Sequence, residues 1–200
     1  MKKKSFIIIL LSLFIGIYSC SNDSEWRELN DSQDETRGVG VQAVYSFPSV
    51  SDIVSSSVVQ TAMENAWNLM KQNTTPSGRS EYGFYVYYNH ANGTYYVGNT
   101  VAGTVTSGCA GTNASISLGP VTNNLQVCAF FHCHTALTYC PSNTSRQTGP
   151  STSDINYANS QQLPGILYDY SASSIWGGHS KDDAYKYYTF GPNKRPDIYY

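Results

Sequence analysis

Two runs of aromatic and β-branched residues place the strongest constraint on how this chain folds. They are Tyr82–Tyr88 (YGFYVYY) and Leu125–Phe131 (LQVCAFF), and both are almost wholly apolar. Runs of this kind are typical of strands that are buried on both faces, because no polar residues alternate with the apolar ones. The sequence therefore predicts a central β-sheet that is covered on both sides.

A helical pattern precedes the first of these strands. We predict a helix over Ser51–Asn73, with Ser51 and Asp52 at its N-terminus. Pro76 and Gly78 lie in the break that follows it. Apolar residues recur along the predicted helix at spacings of four, three and four, which places one face of it inward: Val59, Met63, Ala66 and Met70.

The remaining elements alternate between strands and a second helix. Asn92-Gly93 indicates a tight turn, and Ser151-Thr152-Ser153-Asp154 is typical of a helix N-terminus. Three more strands are predicted, over Thr94–Val97, Ile166–Tyr170 and Ala184–Phe190. The order of helix, hairpin, strand, helix and strands predicts a mixed α/β domain over residues 41–200, with a central sheet flanked by helices.

The N-terminal segment has the features of an export signal. Lys2–Lys4 is positively charged, and Phe6–Tyr18 is apolar but too short to span a bilayer as a mature helix. It ends in Ile17-Tyr18-Ser19-Cys20, which resembles the lipobox of bacterial lipoproteins. The resemblance implies a signal peptide over residues 1–19, cleavage before Cys20 and a diacylglycerol on its sulfur. The alternative is an ordinary secretory signal with a chance cysteine.

The residues after Cys20 indicate a tether rather than a folded part. Residues 20–40 are polar and acid-rich, which predicts a flexible linker. Asp23 and Glu25 resemble the surface-export signal of lipoproteins in outer-membrane bacteria, so we expect an outer-membrane or cell-surface location. Without Lys2–Lys4, 9 Lys and Arg residues stand against 14 Asp and Glu, a net charge of −5. This charge leaves no basic patch for nucleic acid.

Four cysteines remain after Cys20, and an even number outside the cytoplasm favours disulfides. Four cysteines allow three pairings, and we predict Cys133 with Cys140 and Cys109 with Cys128. A structural Cys/His zinc site is the alternative, but the close C-x-x-C pairs typical of such sites are missing.

The segment His132-Cys133-His134 points to metal chemistry. Side chains two residues apart on a strand lie on the same face, so both imidazoles should converge at one rim of the sheet. A carboxylate would complete three protein ligands and leave one position for water. Asp154, at the predicted start of a helix, is the candidate. Cys133 should point away from both histidines, which argues against a Cys–His protease.

These residues stand in the order of a known motif. JAMM (JAB/MPN-type) metallopeptidases have an upstream Glu, then His-x-His, then Ser-x-x-Asp. This chain has Glu81 between the first helix and the first strand, then His132-Cys133-His134, then Ser151-Thr152-Ser153-Asp154. The match covers roughly residues 51–170 and looks most like the bacterial JAB-like branch.

The resemblance implies a JAMM/cytidine-deaminase-like sandwich and a Zn²⁺ cofactor. It implies that Glu81 is the general base and that Ser151 donates to the oxyanion, with Ser153 in that role if the alignment slips. The implied zinc ligands are His132, His134 and Asp154. Where the family has Ser or Thr and then Pro, this chain has Cys133 and Thr135, and an insertion around residues 140–148 separates His134 from Ser151.

Two functions follow as hypotheses. The first is an extracytoplasmic zinc-dependent hydrolase of peptide or isopeptide bonds, with a peptide or protein substrate and a lipid anchor in the membrane. The second is a non-catalytic surface lipoprotein that binds a protein or glycan partner, with the 17 tyrosines contributing to its surface.

Overall fold

A mixed β-sheet forms the centre of the computed structural model, which describes residues 44–109 and 114–199. The predicted signal peptide, Cys20 and the tether lie outside these residues. In chain order the elements are β1 (Val44–Tyr45), α1 (Val50–Ser55), α2 (Ser57–Asn73), β2 (Tyr82–Asn89), β3 (Thr94–Val97), β4 (Val101–Ala102), β5 (Val127–Cys133), β6 (Ser145–Gln147), α3 (Thr152–Gln161), β7 (Gly165–Tyr170), β8 (Ser174–Trp176), β9 (Tyr185–Phe190) and β10 (Ile198–Tyr199).

The strand order of the central sheet is β3-β2-β5-β7-β9, and β4 pairs with the same strand, β2, as β3 does. β5 and β7 are parallel, whereas β2 is antiparallel to β5 and β9 is antiparallel to β7. Parallel neighbours need a crossover connection, and α3 lies in it. The domain is therefore mixed α/β, as the sequence predicted.

The two faces of the sheet are buried by different helices. The face toward α1 and α2 holds the larger apolar cluster, which includes Trp67, Phe131 and Cys133. The opposite face packs against α3 through Phe130 and Ala158. Alternate residues of β5 therefore enter different clusters, and every residue of this strand is buried. The predicted double-sided burial of β2 and β5 is confirmed.

The predicted helix over Ser51–Asn73 is two helices instead of one. Ser56 is extended, with φ −69° and ψ 125°, and it ends α1 and begins α2. The N-cap is Ser49 rather than Ser51, because the Ser49 hydroxyl accepts from the Asp52 N–H while the Asp52 carboxylate accepts from the Ser49 N–H.

The predicted disulfide pairing was wrong. Cys109 is bonded to Cys140, and Cys128 and Cys133 are free and buried. The tertiary structure brings Cys109 and Cys140 together with their Cα atoms 5.5 Å apart, a separation that a disulfide spans. Cys128 and Cys133 lie within β5, where their thiols contact the carbonyl oxygens of Val86 and Ala66 instead.

The insertion between His134 and Ser151 contains a strand that the sequence did not predict. Its β6 pairs antiparallel with β8, with Arg146 opposite Ile175. Within residues 44–109 and 114–199, no helix has both the length and the apolar character needed to cross a bilayer.

Candidate metal centre

Strand β5 carries His132 to the rim of the sheet on the side of α3. His132 lies between Gly83 of β2 and Leu167 of β7, and its side chain is 3 % exposed. His134 follows just after the strand, where its backbone N–H donates to the Tyr168 carbonyl at 3.1 Å. The two rings come together with their centroids 5.2 Å apart. The two-residue spacing therefore has the predicted effect.

Asp154 reaches this pair from the first turn of α3. Its Oδ1 lies 3.3 Å from His132 Nε2, and its Oδ2 lies 3.4 Å from His134 Nε2. Oδ2 also accepts from the Ser151 N–H at 2.7 Å as part of a capping box. The Asp154 carboxylate therefore both caps α3 and approaches the two histidines. One ligand atom from each of His132, His134 and Asp154 lies within 4.8 Å of the others.

The polar atoms of this cluster are suited to a cation. Among the described residues, no hydrogen bond of normal geometry reaches the buried His132 Nε2. A buried nitrogen without a partner is costly, and a metal ion at its lone pair would remove that cost. Two imidazole nitrogens and one carboxylate oxygen form a donor set that zinc accepts, with a fourth position open.

The charges around the cluster shift the pKa values of its members strongly. Burial alone would lower the pKa of His134, but hydrogen bonds to Asp154 and Asp169 outweigh it and raise the pKa to about 9. Burial would raise the pKa of Asp154, yet the close contacts with the His132 and His134 rings leave it far below its usual range. Without a metal, the carboxylate and the His134 imidazolium therefore form an ion pair.

Glu81 lies in the same cavity as the three metal-ligand candidates. The cavity measures about 950 Å³ and is lined by Glu81, His132, His134 and Asp154 among others. Glu81 is 7 % exposed, and its backbone carbonyl accepts from the Gly103 N–H at 2.8 Å. Burial raises the pKa of its carboxyl, while the nearby His132 and His134 lower it in part. The residue just before β2 therefore faces the predicted metal centre.

Ser151 and Ser153 also line this cavity. Ser151 is the N-cap of α3, and its hydroxyl accepts from the Asp154 N–H at 3.2 Å. Accepting that bond uses one lone pair of the hydroxyl oxygen. The hydroxyl proton can therefore donate to another acceptor. Both serines remain candidates for the oxyanion donor.

Cys133 lies on the opposite face of the sheet from the histidines. Its thiol contacts the Ala66 carbonyl oxygen at 3.7 Å, and burial raises its pKa far above the usual range. This position rules out Cys133 as a nucleophile paired with His132 or His134.

The sequence prediction missed a second carboxylate behind His134. Asp169 on β7 is fully buried, and its Oδ2 lies 3.0 Å from His134 Nδ1. Burial would raise the pKa of Asp169, but hydrogen bonds from Arg146 and His134 hold it well below its usual range. An acidic residue inside the otherwise apolar run of β7 was the signal that could have revealed it.

His90 and His179 lie away from the three-residue cluster. His90 is half-buried, and its Nε2 lies 3.0 Å from the Leu125 carbonyl oxygen. His179 follows Gly178, and its Nε2 accepts from the Leu137 N–H at 3.0 Å. Its Nδ1 lies 3.2 Å from Asp183 Oδ2.

No protein-family model, no curated protein and no solved structure matches this chain. The case for a functional site therefore depends on the residues themselves and on their geometry.

Proposed function

We propose that this protein is a zinc-dependent hydrolase of peptide or isopeptide bonds, built on a JAMM-like sandwich. The observation that carries the proposal is the convergence of His132, His134, Asp154 and Glu81 on one cavity. These residues come from three segments that lie apart in the chain, in the order typical of the JAMM motif. A chance cluster would not be expected to include the upstream glutamate as well.

In this proposal His132, His134 and Asp154 would hold the zinc. When bound, zinc lowers the pKa of a coordinated water to about 7 and polarises a carbonyl oxygen. The protein side chains fix the donor atoms before the ion arrives, because Asp154 is held by the cap of α3 and His132 by the sheet. Little reorganisation is then needed when the ion binds.

Glu81 would act as general base and then as general acid. It would accept a proton from the attacking water and deliver it to the leaving amine. Burial raises the pKa of Glu81, which makes its carboxylate a stronger base toward the attacking water. Ser151 or Ser153 would donate a hydrogen bond to the oxygen that gains negative charge.

The N-terminal segment supplies the proposed location. A lipid anchor at Cys20 and a tether over residues 20–40 would hold the enzyme at the outer membrane or the cell surface. Its substrates would lie outside the cytoplasm. They would be peptide tails, stem peptides of the cell wall or proteins of another organism. A cavity of about 950 Å³ is large enough for several residues of a peptide.

The second candidate is a non-catalytic lipoprotein that binds a protein or a glycan. The exposed side chains of Trp176 and Tyr187, which are 56 % and 53 % exposed, favour it, since aromatic residues commonly form contact surfaces. In that case the metal centre would be structural.

The decisive experiment combines metal analysis with a single substitution. The purified protein should contain about one zinc per chain, as a three-ligand site requires, and should cut members of a peptide library. Glu81→Gln should retain the zinc and lose at least about 100-fold in activity. Glu64→Gln, at an exposed position of α2, is the matched control and should behave as the original protein does.

Two results would count against the enzyme. Zinc without cleavage of any library peptide would favour the binding module, and the absence of bound metal would remove the metal centre itself.

A further inference from the structure

We propose that Asp169 and Arg146 form a positioning pair that fixes the ring of His134, with Nδ1–H toward Asp169 and Nε2 toward the metal centre. This inference rests on the proposed function, because it concerns the same centre. It assigns a role to the insertion between His134 and Ser151, which departs from the JAMM pattern and supplies Arg146.

The Asp169 carboxylate is surrounded by donors. Its Oδ1 accepts from Arg146 Nη2 at 2.6 Å and from the Tyr170 N–H at 2.8 Å. Its Oδ2 accepts from Arg146 Nη1 at 2.7 Å and from the Gly149 N–H at 2.9 Å. His134 Nδ1 lies 3.0 Å from the same Oδ2. A fully buried carboxylate with this many donors is held in one orientation.

The protonation of the His134 ring follows from this arrangement. An ionised carboxylate only accepts hydrogen bonds, so His134 Nδ1 must carry the proton. In the neutral ring the lone pair is then on Nε2, which is the atom 3.4 Å from Asp154 Oδ2. A flipped ring or the other tautomer would leave Asp169 without its fifth donor and turn the lone pair away from the centre. A carboxylate that accepts from the second ring nitrogen of a metal-bound histidine generally fixes the orientation and the tautomer of that ring.

Arg146 holds Asp169 through two hydrogen bonds. Its guanidinium donates to both carboxylate oxygens, and Nη2 also donates to the Thr135 carbonyl at 3.0 Å. The planar fork of arginine matches a carboxylate in a way that lysine cannot. The pairing of β6 with β8 positions the Arg146 backbone. The inserted segment thus contacts both Asp169 and the residue that follows His134.

A second histidine–aspartate pair in the same protein provides a matched control. His179 Nδ1 lies 3.2 Å from Asp183 Oδ2, which is the same kind of contact. Neither residue belongs to the three-residue cluster. Asp183→Asn therefore removes a histidine–aspartate contact at a carboxylate that is 53 % exposed, without touching the proposed positioning pair.

The first measurement is zinc affinity by chelator competition in Asp169→Asn, Arg146→Lys and Asp183→Asn. Loss of an outer carboxylate typically weakens metal binding by about 10- to 100-fold, and we expect this loss in the first two variants. Asp183→Asn should bind zinc as the original protein does. Far-UV and near-UV circular dichroism establish that each variant is folded. Unchanged affinity in a folded Asp169→Asn or Arg146→Lys protein would overturn the proposal.

The second measurement is independent of zinc and of activity. In ¹⁵N-labelled protein, the Nδ1–H proton of His134 should give a downfield resonance that exchanges slowly with water, with or without zinc. Arg146→Lys should accelerate this exchange, whereas Asp183→Asn should not. A rapidly exchanging Nδ1 proton in the original protein would overturn the proposal even if both variants failed to fold. If the protein binds no zinc, the proposed function fails, and this resonance still tests the positioning pair.

Discussion

Nε2 of His132 lies 3.3 Å from Oδ1 of Asp154, yet within the described parts of the chain it has no hydrogen bond of normal geometry. The two residues belong to different elements, β5 and α3. Their approach brings a carboxylate to a buried nitrogen in an orientation that leaves the nitrogen without a hydrogen bond. An ion between them would be bound by both, and the protein should then be more stable with the metal than without it.

The first prediction separates the metal-binding role of Asp154 from its capping role. Zinc at about 100 times its Kd should raise the free energy of unfolding by about 2.7 kcal/mol. Asp154→Asn should lose most of that increase, because one of three ligands is removed. Thermal unfolding with and without zinc measures both quantities.

Asp52 provides the matched control for this variant. It occupies the same position in the capping box of α1 that Asp154 occupies in that of α3. Asp52→Asn should lose a comparable capping interaction and keep the full zinc response. A full zinc response in Asp154→Asn would show that the carboxylate does not bind the metal.

The second prediction concerns the stability of the metal-free protein against pH. The pKa of His134 rises from 6.5 to about 9 on folding, so its stabilisation is complete below pH 6.5 and is lost as the pH rises toward 9. The pKa of Asp154 is lowered from 3.8, so its contribution is complete above that pH and is lost in acid. The free energy of unfolding should therefore fall between pH 6.5 and 9, by at most about 1.4 kcal/mol per pH unit.

Urea unfolding of the metal-free protein at a series of pH values tests this trend. His134→Gln should flatten the dependence in the alkaline range, and an equal slope in both proteins would refute the assignment. Zinc should reverse the trend, because metal and protons compete for the same ligands.

The third prediction concerns the disulfide. The Cys109–Cys140 bond joins residues 31 positions apart, and a loop of this length contributes about 3 to 4 kcal/mol to stability. The double variant Cys109→Ala with Cys140→Ala should be destabilised by about this amount, measured by urea unfolding. A reducing agent should destabilise the original protein equally and leave the double variant unchanged.

The free thiols serve as an internal check on this assignment. Burial raises the pKa of Cys128 to about 12, and Cys133 is fully buried. Neither should react with iodoacetamide in the folded protein, and both should react in urea. Rapid labelling of either thiol in the folded protein would contradict the burial of β5.

The fourth prediction tests how closely β2 and β5 approach beside His132. A Cβ added at Gly83 would lie 2.4 Å from the Phe131 carbonyl oxygen and 3.0 Å from the His132 Cβ. Gly83→Ala should therefore destabilise the protein by about 1 to 3 kcal/mol and weaken zinc binding by displacing His132. At Gly98 the nearest atoms would be 3.4 Å away or more, so Gly98→Ala should retain zinc affinity.

The sequence predicted the regular elements well where the local pattern was strong. β2 and β3 lie where the aromatic run and the Asn92-Gly93 turn placed them, and Val59, Met63, Ala66 and Met70 are buried on one face of α2. The prediction of one continuous helix was wrong at Ser56, because the helical spacing of apolar residues continues across a residue whose backbone is extended. In α3, Ile155 is 38 % exposed, and Ala158 forms the buried contact of the helix.

For the candidate site, the sequence alone determined which side chains share a face. The two-residue periodicity of a strand fixed His132 and His134 on one side and Cys133 on the other, because that property depends only on neighbouring residues. The tertiary structure decided that Asp154 and Glu81 reach the same cavity, that Cys109 pairs with Cys140, and that Arg146 and Asp169 lie behind His134. Each of these contacts joins segments far apart in the chain, so it depends on how strands cross and loops return rather than on any local pattern.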